Sequence, residues 1–326
     1  MKRILGMGNA LTDILLQIDN DEVLSSLNLL KGGMQLIDIE RSVEIDIAVD
    51  DFSKKLATGG SASNTINGIT RLGLSGGFVG KIGKDDIGAF FTTDSIGNGV
   101  EPHLLMSETP SGRCTVLVSP DSERTLCTYL GAACELEALD LTPDMFSGYD
   151  IFHIEGYLVQ NHDLIRTAVS LAKQAGLKVS IDLASYNVVE ANLDFLHEIV
   201  KEYVDIVFAN EDESRAFTGK EPVEALNSIS EHCKIAIVKI GKDGSFIKSG
   251  NETIQVKPRL ANCIDTTGAG DLYAAGFLFG LANNYSLEVC GEIGSIVSAK
   301  VVEVLGAKMS DEVWESINNE VNKIVK

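Results

Sequence analysis

The stretch Asp265-Thr266-Thr267-Gly268-Ala269-Gly270-Asp271 places two carboxylates around a Gly-Ala-Gly turn and opens directly into the apolar segment 272–282. Glycine lets the backbone approach a ligand closely, and a helix that begins here directs unpaired N–H groups and its positive dipole end at that ligand. Such donors suit a phosphate, and Asp271 can accept a proton from an attacking hydroxyl as a general base. An ordinary Asp or Thr helix cap is the alternative interpretation.

Short apolar runs alternate with helical patterns along the chain, which predicts an α/β fold with a mostly parallel sheet covered by helices on both faces. Two regions break the alternation. Strands 13–18 and 34–39 flank a short helical turn, and strands 114–119 and 125–130 form a hairpin around Pro120-Asp121-Ser122. The other predicted strands are 3–7, 75–81, 150–154, 178–181, 206–209 and 235–240, and the predicted helices are 61–72, 87–97, 164–175, 194–203, 223–232, 269–282, 287–304 and 311–325.

The charge balance excludes two classes of partner. The 326 residues include 27 basic and 47 acidic side chains, a net charge of −20, which argues against binding to nucleic acid or an anionic membrane surface. Six cysteines without a Cys-x-x-Cys spacing predict reduced thiols, a cytoplasmic setting and no structural zinc. A small-molecule substrate is compatible with this charge, and an anionic nucleotide would need a divalent cation and local donors.

Three motifs resemble the PfkB family of carbohydrate and nucleoside kinases, which has the ribokinase-like fold. Asp265–Asp271 resembles the C-terminal signature of that family, Gly59-Gly60-Ser61-Ala62-Ser63-Asn64 lies before helix 61–72, and Asn210-Glu211-Asp212-Glu213 resembles its Asn-x-x-Glu. The resemblance covers nearly the whole chain. It implies one three-layer kinase domain over 1–326, with a discontinuous β lid formed by about 13–39 and 103–131, as a monomer or a homodimer.

The resemblance also implies in-line transfer of the γ-phosphoryl group of Mg-ATP to a primary hydroxyl. Asp271 is then the base, the amides of Gly268, Ala269 and Gly270 hold negative charge, and Arg124 approaches the transferred phosphate. Other positions would bind the nucleotide and the metals: Asn210 and Glu213 for magnesium through water, Lys239, Gly241, Gly244, Thr266 and Thr267 for ATP, and Asp265, Val301, Val304, Gly306 and Ser310 for a potassium ion. Lys239 departs from the family threonine, and its ammonium can supply a charge instead.

The acceptor is predicted from a second set of positions. The resemblance assigns Asn9, Asp13, Gly59, Gly60, Ser61 and Asn64 to a ribose and Leu126, Thr128 and Tyr157 to an apolar slot for a purine. The resemblance to adenosine-kinase-like members favours conversion of adenosine to AMP. A sugar kinase of the ribokinase, fructokinase or 2-keto-3-deoxygluconate kinase type is the alternative.

Other interpretations of these motifs remain. Gly6-x-Gly8 after a strand is part of a dinucleotide fingerprint, but Leu11 stands where the third glycine belongs. The residues Gly8-Asn9-Ala10-Leu11-Thr12-Asp13 can also serve only to form a turn. A catalytically silent sensor on this fold would be expected to lose the base, which this chain keeps as Asp271. The sequence contains no Gly-x-x-x-x-Gly-Lys-Ser/Thr and no His-Arg-Asp or Asp-Phe-Gly, which excludes P-loop and protein-kinase chemistry.

Overall fold

The structure, a computed structural model, describes residues 2–121 and 123–325. Ser122, in the predicted turn of the hairpin, lies outside these residues. Within them, two β-sheets and their flanking helices make up the fold. No helix in 2–121 or 123–325 has both the length and the apolar composition that crossing a bilayer requires.

The larger sheet has nine strands in the described residues, and its central strands are parallel. Its order is β14-β13-β12-β11-β10-β9-β1-β5-β6, and only the pairs β12/β13 and β13/β14 are antiparallel. The strands are β1 Arg3–Met7, β5 Ser75–Gly83, β6 Val100–Ser107, β9 Ile151–Glu155, β10 Lys178–Asp182, β11 Ile206–Asn210, β12 Ile235–Lys239, β13 Ser245–Ser249 and β14 Glu252–Val256.

Helices cover both faces of this sheet, which confirms the predicted three-layer arrangement. Residues of α3, α10, α11 and α12 share one core with the sheet, and residues of α5, α7, α8 and α9 share the core on the other face. The helices are α1 Glu22–Ser26, α2 Ile39–Ala48, α3 Ser61–Arg71, α4 Asp86–Gly97, α5 His162–Gln174, α6 Tyr186–Ala191, α7 Leu193–Tyr203, α8 Glu211–Thr218, α9 Pro222–Ser230, α10 Ala269–Ala282, α11 Leu287–Val301 and α12 Asp311–Ile324.

The smaller sheet has the order β3-β8-β7-β2-β4. Its strands are β2 Leu11–Gln17, β3 Met34–Leu36, β4 Lys54–Gly59, β7 Gly112–Val118 and β8 Arg124–Tyr129. Its composition differs from the predicted lid ranges in two ways. Residues 103–107 belong to β6 of the larger sheet, and β4 lies outside both ranges.

The predicted strand 34–39 is too long. β3 ends at Leu36, and the Asp38 side chain accepts a hydrogen bond from the Arg41 amide at 2.8 Å, so Asp38 caps α2. A side-chain acceptor at this position begins a helix two residues beyond the strand. α2 and α1 then cover one face of the smaller sheet, where Ile14 and Leu117 are buried.

Candidate active site

Five neighbouring parallel strands bring polar residues to one edge of the larger sheet. Asn9 follows β1 by two residues, and Glu155, Asp182, Asn210 and Lys239 are the last residues of β9, β10, β11 and β12. Ligands of open α/β sheets bind outside the carboxyl ends of the strands. We call this set the carboxyl edge. A cavity of about 970 Å³ lies here, and its lining includes Asp182, Asn210, Lys239 and Asp271.

Asp271 lies at this cavity in the first turn of α10, held by the first turn of α3. Its carboxylate accepts hydrogen bonds from the Ser61 hydroxyl at 2.7 Å and from Asn64 Nδ2 at 3.0 Å. Burial raises the pKa of Asp271 above the ordinary aspartate value, although these two hydrogen bonds oppose the rise. A raised pKa makes a carboxylate a stronger proton acceptor near neutral pH. Gly60 occupies the cap position of α3, so the Ser61 hydroxyl is free to contact Asp271.

The Gly-Ala-Gly turn leaves two backbone donors free. Gly268 caps α10 with φ of 76°, a left-handed conformation that favours glycine, and a Cβ there would lie 2.6 Å from Cβ of Ala307. The Ala269 amide donates to the Thr266 carbonyl at 3.1 Å. Within the described residues, the amides of Gly268 and Gly270 make no hydrogen bond. Two of the three predicted anion donors are therefore available to a ligand.

Lys239 brings a positive charge to the same turn. Its ammonium forms an ion pair with Asp182 at 2.7 Å, and a Cβ built on Gly270 would lie 3.0 Å from Nζ. Burial alone lowers the pKa of Lys239, but the carboxylates of Asp182 and Glu213 outweigh burial and raise it. The substitution of lysine for the family threonine thus places a stable cation beside the anion donors.

Asn210 and Glu213 form a capping box at the start of α8. The Glu213 carboxylate accepts hydrogen bonds from the Asn210 amide at 2.8 Å and from Asn210 Nδ2 at 2.6 Å, while Asn210 Oδ1 accepts from the Glu213 amide at 2.8 Å. Burial and the Asp182 charge raise the pKa of Glu213 to about 7. The motif therefore has a structural role in addition to any contact with a hydrated metal. No group of three or more His, Cys, Asp or Glu residues within 2–121 and 123–325 forms a direct metal site.

The predicted nucleotide loop follows β12. Gly241 has φ of 52° and Gly244 has φ of 99°, and a Cβ on Gly244 would lie 2.0 Å from the Val256 carbonyl oxygen. Both glycines are therefore required by a tight turn before β13. Gly241, Gly244 and Thr266 all line the large cavity, so the nucleotide loop and the Gly268-Ala269-Gly270 turn face the same space.

The predicted acceptor residues come from three places: Asn9 at the carboxyl edge, Asp13 on β2 and Asn64 on α3. Asn9 donates to Glu155 through both its backbone amide (3.1 Å) and its side-chain Nδ2. The side-chain oxygen Oδ1 of Asn9 then remains to accept a hydrogen bond from a ligand. Asn64 donates to Asp271, and its buried Oδ1 has no hydrogen-bond partner in the described residues. Burial raises the pKa of Asp13 to about 6, with Arg124 and Lys308 opposing the rise. Three side-chain acceptors near one base suit a ligand rich in hydroxyl groups.

The glycine pair before α3 has a steric role. A Cβ on Gly59 would lie 2.6 Å from Asp13 Oδ1, and a Cβ on Gly60, whose φ is 91°, would lie 2.2 Å from the Asn9 carbonyl oxygen. The Asp13 carboxylate and the Asn9 backbone carbonyl therefore occupy the space that side chains at 59 and 60 would need, and the two glycines allow β2 and the turn after β1 to come close to α3.

One face of the smaller sheet carries Asp13, which lies near the charges of Arg124, Lys308 and Asp271. Strand register places Leu36, Thr128, Cys114 and Asp13 opposite one another on the same face. The next row on that face holds Met34, Leu126, Val116 and Leu15. We call these two rows the Asp13 face. Leu36 is 65% exposed and Met34 is 61% exposed, so the β3 end of this face presents uncovered apolar surface, whereas Cys114 and Val116, nearer to Asp13, are buried.

Tyr157 occupies a different place from the predicted slot. It lies in the turn after β9 and lines the large cavity with Ser61 and Asp271. Burial raises its pKa to about 12, with Glu155 and Asp271 contributing. The structure thus brings Leu126 and Thr128 together on the Asp13 face and leaves Tyr157 at the carboxyl edge.

Arg124 joins the smaller sheet to the turn before α10. It lies on β8, and its guanidinium donates to Asp265 and, at 2.8 Å, to the Thr267 hydroxyl. Burial opposes ionisation of Asp265, but the amides of Gly306 and Thr267 and the Arg124 charge outweigh it and lower the pKa.

Sequence reasoning missed three residues of this site. Glu155 accepts from Asn9 and, at 3.1 Å, from the Ala62 amide, and burial raises its pKa to about 7. Asp182 pairs with Lys239. Both are acids that end an apolar strand, a signal that could have found them. Lys308 has a buried ammonium without a hydrogen-bond partner in the described residues, and burial lowers its pKa to about 8. No sequence pattern marks Lys308.

Several known proteins resemble this chain along most of its length. An adenosine kinase from Sinorhizobium meliloti has 33% sequence identity and a TM-score of 0.85, over 98% of this chain and 99% of that one. A probable sugar kinase from Rhizobium etli CFN 42 has 32% identity and a TM-score of 0.86, over 98% of both chains. A 5-dehydro-2-deoxygluconokinase from Listeria monocytogenes is 28% identical over 299 residues, 84% of this chain and 90% of that protein.

Relatives of this kind are phosphotransferases that act on hydroxyl groups, and both nucleosides and sugars occur among their acceptors. The sequence also matches the pfkB family carbohydrate kinase domain over residues 28–314. The chain therefore belongs to the pfkB family of carbohydrate kinases and is a kinase of that family.

Proposed function

We propose that this chain transfers the γ-phosphoryl group of Mg-ATP to the primary hydroxyl of a ribonucleoside, with adenosine converted to AMP. The observation that carries the proposal is the composition of the acceptor side. Oxygen acceptors of Asn9, Asp13 and Asn64 surround the base Asp271, and the Asp13 face continues into uncovered apolar surface at Leu36 and Met34. A ribose suits the acceptors, and a purine suits the apolar rows.

Asp271 supplies the chemistry in this proposal. As the acceptor hydroxyl attacks, it gives its proton to the Asp271 carboxylate, which hydrogen bonds to Ser61 and Asn64 hold in place. The Asn64 oxygen accepts a hydrogen bond from the substrate, which satisfies a buried polar atom. The free amides of Gly268 and Gly270 and the Lys239 ammonium then stabilise the negative charge on the transferred group.

The nucleotide would lie along the carboxyl edge. The cavity of about 970 Å³ has room for ATP and extends from Asp271 past Gly241 and Gly244. The carboxylates of Asp182, Glu213 and Asp271 all act on Lys239, so acidic side chains outnumber basic ones around this lysine. That donor set fits magnesium held through water by Glu213 and Asn210. When bound, Mg²⁺ neutralises charge on the phosphate oxygens.

A sugar kinase is the second candidate. The similarity to the 5-dehydro-2-deoxygluconokinase from Listeria monocytogenes favours it, because that protein's name describes a sugar-acid acceptor. A sugar would use Asn9, Asp13 and Asn64 as the ribose does. It would leave the apolar part of the Asp13 face uncovered.

A substrate panel tests the proposal. Adenosine, inosine, ribose, fructose and 2-keto-3-deoxygluconate are compared by kcat/KM at saturating Mg-ATP. The expected result is the highest specificity constant for adenosine, with ribose at least about 100-fold lower because it forgoes burial of the purine. A free sugar that exceeds adenosine would leave the kinase assignment in place and overturn the nucleoside assignment.

A further inference from the structure

Protein donors surround Asp265, the carboxylate expected to bind a potassium ion. Oδ1 accepts hydrogen bonds from the Thr267 amide at 3.0 Å and from the Thr267 hydroxyl at 2.8 Å. Oδ2 accepts from the Gly306 amide at 2.8 Å and from the Arg124 guanidinium. A carboxylate has about four lone-pair positions. No lone pair of Asp265 remains for a metal ion.

Arg124 adds a fixed positive charge at this carboxylate. The side chains of Arg124 and Asp265 are 8% and 10% exposed, so water screens their charges weakly. A guanidinium stays protonated at every pH at which the protein would be assayed. A monovalent cation at Asp265 would therefore lie beside another cation and would have to displace it.

One of the other expected ligands also has a protein partner. The Val301 carbonyl accepts a hydrogen bond from the Val304 amide at 3.2 Å as α11 ends.

We propose that Arg124 supplies from within the chain the positive charge that a bound monovalent cation would bring to Asp265, so that phosphoryl transfer here is independent of potassium. The proposal rests on the kinase function of this site, and it corrects the expected potassium site. Arg124 acts through Asp265 and Thr267, which shape the turn that ends at Gly268. It is a positioning residue in this role.

The first test uses the unaltered protein. Kinase activity and the thermal midpoint are measured in potassium chloride and in tetramethylammonium chloride at equal ionic strength. The proposal expects rates within about threefold of each other and midpoints within about 2 °C. A larger activation by potassium, or a larger midpoint rise that saturates with potassium concentration, would overturn it.

The second test removes the guanidinium. Arg124→Gln leaves the Asp265 charge without its partner, so the thermal midpoint should become responsive to potassium and stay unresponsive to tetramethylammonium. Arg113→Gln is the matched control, because Arg113 lies on the neighbouring strand β7 and pairs with Asp46 instead. Its midpoint should not respond to either salt.

An Arg124→Gln protein whose midpoint ignores potassium would show that Asp265 needs no cation and would contradict the proposal. A rise of the thermal midpoint with potassium in both the Arg124→Gln and the Arg113→Gln protein would also contradict it, because the effect would then not come from the unpaired charge of Asp265. The midpoint is read without a phosphate acceptor, so these outcomes are separate from failure of the kinase assignment, which the substrate panel detects.

Discussion

The carboxyl edge of the larger sheet and the Asp13 face of the smaller sheet differ in what holds their side chains in place. At the carboxyl edge, Asp182 pairs with Lys239 and Glu155 accepts three N–H groups. On the Asp13 face, Leu36 and Met34 of the edge strand β3 are exposed, whereas Cys114 and Val116, which lie between them and Asp13, are buried. The first region has its partners before any ligand arrives, whereas the exposed edge of the second remains for a ligand to cover. We infer that the first carries the chemistry and the second selects the acceptor.

The largest effect is expected from Asp271→Asn, which tests whether Asp271, beside the carboxyl edge, is the general base. The amide is nearly isosteric and cannot accept the proton, so kcat should fall by about 10²- to 10⁴-fold. Nucleotide binding should persist, because Lys239 and the amides of Gly268 and Gly270 are unchanged. Stopped-flow or steady-state rates and calorimetric titration with ATP measure the two properties. Near-normal turnover would remove Asp271 from the role of base.

The next largest effect concerns Lys308, whose charge lies near Asp13. Its pKa of about 8 is below the ordinary value of 10.5, so the buried charge opposes folding below pH 8. Lys308→Met should therefore raise the free energy of unfolding at pH 7 by up to about 3 kcal/mol.

Denaturant unfolding across pH tests the sign of this effect. The advantage of the Lys308→Met protein should shrink as the pH rises from 8 to 10.5, because the unaltered protein loses the opposing charge over that interval. Lys201→Met, at an exposed site, is the control and should show no such trend. A lower stability of Lys308→Met at pH 7 would contradict the assignment of an unpartnered buried cation.

Glu213→Ala tests the metal at the carboxyl edge. If Glu213 orders water bound to magnesium, the magnesium concentration for half-maximal rate should rise by about 10- to 100-fold, with little change in KM for the acceptor. Loss of the capping box should also cost about 1 kcal/mol of stability. Glu224→Ala, in the first turn of α9, controls for removal of an acid from a helix start. An unchanged magnesium requirement would leave Glu213 with the capping role alone.

The smallest effect sharpens the role of the Asp13 face. Leu126→Ser removes apolar area from the proposed purine slot, so KM for adenosine should rise by about tenfold, while KM for ribose should change little. Leu139→Ser is the control, because Leu139 is 94% exposed and lies outside the Asp13 face. Equal changes for both acceptors would show that Leu126 supports the sheet rather than the base.

Much of the fold follows from hydrophobic periodicity. Most of the parallel strands and most of the helices that cover them were predicted with shifts of a few residues at their ends, because buried apolar runs and amphipathic helices leave strong local patterns. The sequence prediction missed β4, β6, β13 and β14. β6 contains Pro102, which a sequence pattern counts against a strand although an edge strand tolerates it, and β4 begins with Lys54 and Lys55.

The candidate site was predictable only where residues lie in motifs. Asp271, Asn64 and Lys239 stand in short stretches that resemble the family, and the structure brings all three to one cavity or its border. Lys308 depends on its buried position near Asp13, far away in sequence, which no local spacing reveals. Glu155 was missed although it is an acid at the end of an apolar strand. The Asp13 face combines a carboxylate with apolar side chains. This combination depends on strand register, because register decides which side chains of neighbouring strands lie together on one face of the sheet.

The most direct test of the account is the affinity of the Asp271→Asn protein for adenosine and for ribose, measured by calorimetry with Mg-ATP absent. No phosphoryl transfer can then occur, and the difference in binding free energy between the two ligands reports only the contribution of the purine. We expect adenosine to bind at least about 100-fold more tightly, because the Asp13 face buries apolar purine surface that ribose lacks. Affinities for adenosine and ribose within about threefold of each other would contradict the claim that this face selects the acceptor.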